Sequence, residues 1–429
     1  MLSIFVSSLG CAKNQVDTEE MLGLILPRGC FLCRDPEEAD VILVNTCGFI
    51  DSAKEESIQT ILELANVKSE QQKLLVCGCL SQRYKDQLKA EIPEVDEWLG
   101  IAQKIKIPEI INFWFPGGLS LEKKTAKRVL VNPPHYAYLR IADGCDHLCS
   151  FCAIPNIRGN FSSLTEKEIV DETKRLADEK VKEIIIIAQD TSSYGEDINN
   201  SLPGLLKKLV KVEGIDWIRL QYLFPASVND ELLDIIAGEE KICKYIDMPI
   251  QHISEKILKS MKRPSGKFTL NLFSKIKNKI PDVGFRTAVI VGYPGEGQAE
   301  FNELKDFIAD FKFNHLGVFE YSREEGTSAF SLGDPVSAIE KEIRKDKIMK
   351  LQQKISLNRN KEFVGKTVKV IIDVINKAGE ATGRRKIDAP EVDNIVHIKN
   401  LKMQKPGDII SVKITKAKPY DLWGTTHTF

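Results

Sequence analysis

Unbroken apolar runs punctuate the first hundred residues. Leu2–Ser8 (LSIFVSS), Asp40–Asn45 (DVILVN) and Lys73–Cys77 (KLLVC) are largely aliphatic or β-branched. Stretches with helical spacing follow each of them: around Gln15–Leu26, over Asp51–Ala65 with Ile58, Ile61, Leu62 and Leu64, and over Ser81–Ala90. A strand covered on both faces has no polar side, so it reads as a continuous apolar run. Its alternation with helices predicts a parallel α/β sheet.

A stretch holding PGG, a Lys/Glu cluster and PP, residues 116–134, reads as a linker. Beyond it a second alternating series begins. Tyr136–Ile141, Glu183–Ala188, Trp217–Tyr222, Tyr245–Met248, Arg286–Val291 and His315–Tyr321 are strand candidates with helical segments between them, which predicts a partial (β/α)6 barrel of parallel strands. Ala338–Phe363 is charged and helical. The pattern then changes to the short alternating strands Lys366–Val374, Ile395–Lys399 and Asp408–Lys416, with turn signals at Lys377–Gly379 and Lys405–Asp408. These predict a small antiparallel β-barrel or sandwich. The expected division is 1–115, linker 116–134, 135–362 and 363–429.

Composition narrows this little. The 429 residues suffice for two or three cores, and 43% hydrophobic with 28% charged residues is ordinary for a globular chain. The net charge of −1 supplies no global field toward nucleic acid. No apolar run approaches the roughly 20 residues that span a bilayer, and the N-terminus lacks a basic leader, so a cytoplasmic protein with no membrane contact is expected. In a reducing compartment the ten cysteines are read as metal ligands or small core residues rather than disulfides.

Three of them stand close together. Asp143–Ile154 reads DGCDHLCSFCAI, with Cys145, Cys149 and Cys152 spaced C-x3-C-x2-C directly after a strand. Three thiolates can hold a 4Fe–4S cluster and leave one iron open, and an open iron can chelate the amino and carboxylate groups of S-adenosylmethionine (SAM). The competing reading is a zinc site, for which His147 would have to be the fourth ligand. Three further cysteines, Cys11, Cys47 and Cys79, are far apart in sequence, but each follows one of the first three strand candidates. The carboxyl ends of parallel strands share one edge, so three thiols there can converge on a second cluster; three separate buried thiols are the alternative. Cys30 and Cys33, on an expected edge strand, read as packing residues, as do Cys77 and Cys243.

The Cys145 spacing, with an aromatic before the last cysteine, resembles the radical-SAM superfamily over about 136–363. That resemblance implies that Phe151 sits near the adenine. It also places Gln189–Tyr194, Gln251–His252 and Val291–Glu296 at strand ends facing SAM, with Gln189, Gln251 and Gly292 as cofactor contacts; an ordinary tight turn is the other reading for Gly292. The whole chain is similar to the methylthiotransferase family. SLGCAKNQVDTEE, VILVNTCGFIDSAKEESI, GCLSQRY, DGCDHLCSFCAIP, AQDTSSYG, YIDMPIQHIS and EEGTSAF lie in that family's order. The opening SLGCAKN and the closing DAPEVDN (388–394) are most similar to its ribosomal-protein branch. The resemblance implies an N-terminal domain with an auxiliary cluster, a radical-SAM barrel and a C-terminal TRAM domain. It further implies two 4Fe–4S clusters, SAM, a flavodoxin or ferredoxin as reductant, and an aspartate of ribosomal small-subunit protein twelve as substrate. SAM cleavage at the Cys145, Cys149 and Cys152 cluster would yield a radical that takes hydrogen from the aspartate β-carbon, and the Cys11, Cys47 and Cys79 cluster would deliver the methylthio unit.

One segment departs from the family. After Arg158–Gly159 an Arg-Ser-Arg stretch is usual, whereas here Asn160–Leu164 reads NFSSL, which puts a role for those arginines in doubt. Charge points two ways. Residues 363–429 carry 12 Lys/Arg against 7 Asp/Glu, which suits RNA contact through the TRAM region. Asp388, Glu391 and Asp393 form an acidic loop that a basic ribosomal protein would fit. Two alternatives stay open here: a tRNA adenosine methylthiotransferase, and an iron–sulfur carrier or RNA-binding module without enzymatic activity.

Overall fold

The computed structural model describes residues 1–120, 127–131, 133–399, 401 and 403–426. The Lys/Glu cluster of the expected linker therefore falls partly outside the described residues.

The first unit comprises β1 (Leu2–Ser8), α1 (Ala12–Ile25), β2 (Cys30–Leu32), β3 (Val41–Thr46), α2 (Asp51–Val67), β4 (Lys73–Gly78), α3 (Cys79–Glu91), β5 (Glu97–Leu99) and α4 (Ile107–Trp114). Its five described strands are parallel in the order β2-β1-β3-β4-β5. Val41 and Leu43 face one side with Met21, Leu22 and Ile111, while Ile42 and Val44 face the other with Ile61, Leu64 and Leu88. Both faces are covered, which is why these strands carry no polar alternation. The register pairs Ser8 with Asn45 and Asn45 with Cys77, so β1, β3 and β4 end level with one another. Cys30 sits on the edge strand β2 and Cys77 inside β4, both buried. The described ends of the connecting stretch are packed: Leu119 is buried in the first core, and the Val129 amide donates to the Glu19 carbonyl.

The second unit runs through β6 (Tyr136–Arg140), β7 (Ala142–Asp143), α5 (Ile154–Arg158), β8 (Ser162–Ser163), α6 (Glu166–Asp178), β9 (Glu183–Ile187), α7 (Leu202–Leu209), β10 (Trp217–Leu220) and α8 (Asp230–Gly238). It continues through β11 (Tyr245–Asp247), α9 (Glu255–Ser260), α10 (Gly266–Lys279), β12 (Gly284–Val291), α11 (Gln298–Phe311) and β13 (His315–Glu320) to α12 (Ala338–Lys361). The parallel ladders β10-β9-β6 and β11-β12-β13 are joined by a bridge between Ile218 and Ile242, giving an open six-stranded wall. Asn160–Leu164, where the sequence lacks the arginines, supplies β8, which pairs with β7.

The third unit is a closed barrel of β14 (Thr367–Ile375), β15 (Ala381–Arg385), β16 (Ile395–Lys399), β17 (Ile409–Ala417) and β18 (Asp421–Thr426) around Val370, Ile372, Val396, Val412 and Ile414. Its described pairings are antiparallel apart from β16 with β18, which run parallel. The spacing did not mark β15 or β18, because Gly383 and Gly424 interrupt them. Those glycines are needed: a Cβ at Gly383 would lie 2.2 Å from the Ile371 carbonyl oxygen. Asn360 near the end of α12 donates to the carbonyls of Lys418 and Pro419, which fixes the barrel to the helix that leads into it.

The acidic loop corrects an expectation. The side chains of Asp388 and Asp393 are wholly buried between the barrel and β11–β13 rather than offered to a partner. Asp388 pairs with Arg385 at 2.6 Å. Asp393 accepts from Tyr245 Oη at 2.7 Å and Arg286 Nη1 at 2.8 Å, and Glu391 accepts from Tyr136 Oη. Glu391 itself is exposed, whereas the two buried carboxylates persist because each has a cationic or hydroxyl partner. The loop is thus a strap whose two aspartates face inward while Glu391 and Val392 stay exposed. Among the described residues, no helix is long and apolar enough to cross a membrane.

Candidate active site

Cys11, Cys47 and Cys79 stand where β1, β3 and β4 end. Cys11 caps α1 and Cys79 is the first residue of α3, so two of the three thiols lie at helix N-termini, where unpaired N–H groups favour negative charge. Tight backbone brings them together. Gly78 turns from β4 into α3 with φ of +103°, and a Cβ there would lie 2.4 Å from Asn45 Oδ1. Gly10 lies so close to Cys47 that a Cβ would come within 3.1 Å of its sulfur. Asn14 braces the group: its amide donates to the carbonyls of Leu9 and Thr46.

Cys145, Cys149 and Cys152 occupy the loop after β7. Gly144 permits it, with φ of +74° and the Asn160 carbonyl 2.0 Å from where a Cβ would be. His147 does not supply a fourth zinc ligand. Its Nε2 is 2.7 Å from Asp190 Oδ2, and its ring stacks on Phe224 at 3.7 Å. Among the described residues no three His, Cys, Asp or Glu side chains converge on a single-ion position. A cluster presents its irons at separate corners, so its ligands need not meet at one point.

All six cysteines line one cavity of about 300 Å³ between the first unit and the barrel wall. Burial, followed by the field of neighbouring groups, raises the Cys79 and Cys152 thiols to about 12 and Cys145 to about 11. For Cys79 those neighbours include Cys11 and Cys47; for Cys152 they include Cys149 and Cys145. Thiols so placed release protons when they take up metal. Two arginines face them: Arg158 Nη2 is 3.7 Å from Cys79 Sγ and Arg263 Nη1 is 3.7 Å from Cys149 Sγ. Guanidinium donors of this kind hold and tune cluster sulfurs.

Of the expected cofactor contacts, Phe151, Gln189 and Gln251 line the cavity. Gln189 donates to Asp143 Oδ1 at 2.8 Å while its own Oε1 is buried without a partner. An orphaned acceptor in a cluster-sized cavity fits a ligand that brings a donor, as the SAM ammonium or ribose would. Gln251 and Tyr222, also lining residues, hold left-handed backbone at φ of +71° and +61°, strain of the kind that concentrates at functional sites. Gly292 lies apart. Its amide donates to Glu296, and a Cβ would strike Lys341 on α12, so it serves a buried turn. Asp190 ties His147, Ser192 and Ser193 together instead of facing the cavity. A second cavity of about 310 Å³, lined by Asp247, Arg286 and Phe319, shares Phe49, Phe151, Tyr222, Pro249 and Gln251 with the first.

Sequence spacing did not single out Lys13, Tyr222, Phe224 or Arg263. Lys13 is buried with its Nζ 3.1 Å from the Tyr222 ring centroid, and burial pushes its ammonium down to about 8.

The chain matches the profiles of the uncharacterized protein family UPF0004 over residues 3–100, the radical SAM superfamily over 139–308 and the TRAM domain over 364–426. It is 49% identical to the ribosomal protein uS12 methylthiotransferase RimO of Aquifex aeolicus, covering 99% of this chain and 97% of that one, and 45% identical to RimO of Clostridium tetani, covering 98% and 97%. Among solved structures it is similar in fold to the radical S-adenosylmethionine methyltransferase TsrM of Kitasatospora setae. The TM-score is 0.56 at 14% identity, covering 76% of each chain.

Proposed function

This chain belongs to the RimO family of ribosomal protein uS12 methylthiotransferases, and from that membership we propose that it places a methylthio group on the β-carbon of a uS12 aspartate, using a cluster on Cys145, Cys149 and Cys152 and a second on Cys11, Cys47 and Cys79. The chain is a radical-SAM enzyme that transfers a sulfur-containing group, and an iron–sulfur cluster and SAM are its cofactors. The observation that carries the finer reading is the single cavity lined by both cysteine triads.

A cluster with an open iron supplies the one-electron cleavage of SAM that allows an unactivated C–H bond to be broken. The remaining work belongs to the chain. Arg263, resting on Phe224 and donating to the Pro249 carbonyl, supports the Cys149 side, and Arg158 supports Cys79. Phe151, Tyr222 and Phe224 wall the space with apolar faces, which keeps water from a reactive carbon centre. Both triads line one space, so a substrate carbon bound there would be within reach of each. The curated relatives carry the ribosomal-protein name over essentially their full length, which favours this reading over tRNA modification. On the C-terminal barrel, Trp423 stacks on His397 with Lys416 and Lys418 over it, a basic aromatic group suited to ribosomal RNA nearby.

The test separates the triads. In anaerobically reconstituted enzyme, Cys145→Ala should abolish formation of 5′-deoxyadenosine. Cys47→Ala should spare it and abolish methylthio transfer to uS12 as read by mass spectrometry. Full transfer by the Cys47 variant would refute the second cluster, and methylthiolation of tRNA alone would refute the substrate.

A further inference from the structure

Four basic side chains, Lys13, His147, Arg158 and Arg263, line the main cavity, and two of them are paired with carboxylates. Arg158 binds Asp17 at 2.8 Å and Asp143 at 3.0 Å, and His147 binds Asp190. Two cations have no acidic partner. One is Arg263, committed to the Cys149 side. The other is Lys13, which is 8% exposed and, among the described residues, makes no hydrogen bond or ion pair; its ammonium lies over the Tyr222 ring, with Cys11, Asp247 and Asp143 acting on it only from beyond bonding distance. Its position is not incidental. Lys13 lies in the first turn of α1, and that turn is pinned by the Asn14 amide to Leu9 and Thr46 and by Asn45, which donates to the Asn14 carbonyl. A buried ammonium held over a cavity without a directly bonded anion costs stability that a carboxylate ligand would recover.

The proposed reaction brings two carboxylates into this space, that of SAM and that of the target aspartate. Arg263 stands at the triad that would hold SAM, and Lys13 stands on the opposite side, two residues from Cys11. We propose that Lys13 binds the side-chain carboxylate of the substrate aspartate, so that the adjacent β-carbon lies between the two triads and neutral side chains are rejected. This is a specificity contact, and it rests on the uS12 reading above. The other role open to Lys13 is as a counter-charge for the thiolates of Cys11, Cys47 and Cys79.

The experiment uses anaerobically reconstituted full-length enzyme and uS12 peptides carrying either aspartate or asparagine at the target position. Binding is followed by fluorescence anisotropy and the methylthio product by mass spectrometry. Wild type should bind the aspartate peptide roughly 10–100-fold more tightly than the asparagine peptide, the range of a charge-assisted contact. Lys13→Met should lose that preference while binding the asparagine peptide as before and retaining about eight irons; Lys13→Arg should keep the preference. An unchanged preference in Lys13→Met overturns the proposal. So does loss of about four irons in that variant, which would assign Lys13 to the cluster. A wild-type enzyme that neither binds nor modifies either peptide while modifying another substrate overturns the uS12 reading itself, a result distinct from both.

Discussion

At Gly78 the backbone passes from β4 into α3 with φ of +103°, and the space a side chain would need is filled by Asn45 Oδ1 and the Thr46 carbonyl. The next residue is Cys79, so the conformation at Gly78 aims that thiol. Gly78→Ala should cost about 1–3 kcal/mol in thermal unfolding, the range of a strained left-handed residue. It should also lower the iron content of reconstituted enzyme from about eight toward about four. All six candidate ligands were legible at this scale, because cysteine is rare and its spacing is informative. Arg158, Arg263 and Lys13 were not. Arginine and lysine are common on surfaces, and nothing in linear spacing distinguishes the few that turn inward.

Among the elements, the strap over 388–394 departs furthest from its composition. Three acidic residues in seven positions read as a solvated loop, but two of them close the seam between the C-terminal barrel and β11–β13. Asp393→Ala would strip the buried Tyr245 hydroxyl of its acceptor and leave Arg286 with Asp247 at 3.4 Å, and we expect a loss of about 1–3 kcal/mol by thermal or denaturant unfolding. Asp388 carries a pH signature. Against the upward push of burial, Arg385 and His315 hold its carboxyl well below the usual carboxylate range. A depressed folded-state pKa contributes stability that is full above the unfolded value of about 3.9 and is lost as pH falls below it. Wild type should therefore exceed Asp388→Asn in melting temperature throughout pH 5–8, with the gap narrowing below about pH 4; a gap that is constant down to pH 2 would contradict this pairing.

For the whole molecule, the decisive feature is how the first unit meets the barrel. Asp17 on α1, nearly buried, accepts from Lys104 and Arg140 at 2.6 Å and from Arg158 at 2.8 Å. One carboxylate thus joins the sheet that carries Cys11, Cys47 and Cys79 to the wall that carries Cys145, Cys149 and Cys152. Asp17→Ala should disturb the distance between the triads more than either triad itself. The expected result is a methylthio yield reduced at least about 10-fold relative to 5′-deoxyadenosine formed, measured in one anaerobic assay. Equal loss of both products would indicate general unfolding instead.

The sequence by itself determined the three units, the order of their parallel strands' segments and the two cysteine sets, because burial on both faces writes continuous apolar runs and turns write glycines. Tertiary structure alone decided that the triads share one cavity, that the strap's two aspartates face inward, that Gly292 serves a turn, and that Lys13 is left without a directly bonded anion. Each of these depends on which surfaces of separate units come into contact, and contact across two hundred residues leaves no period in the chain. Short glycine-bearing strands such as β15 and β18 escaped for a related reason: their glycines answer to a neighbouring strand rather than to the residues beside them.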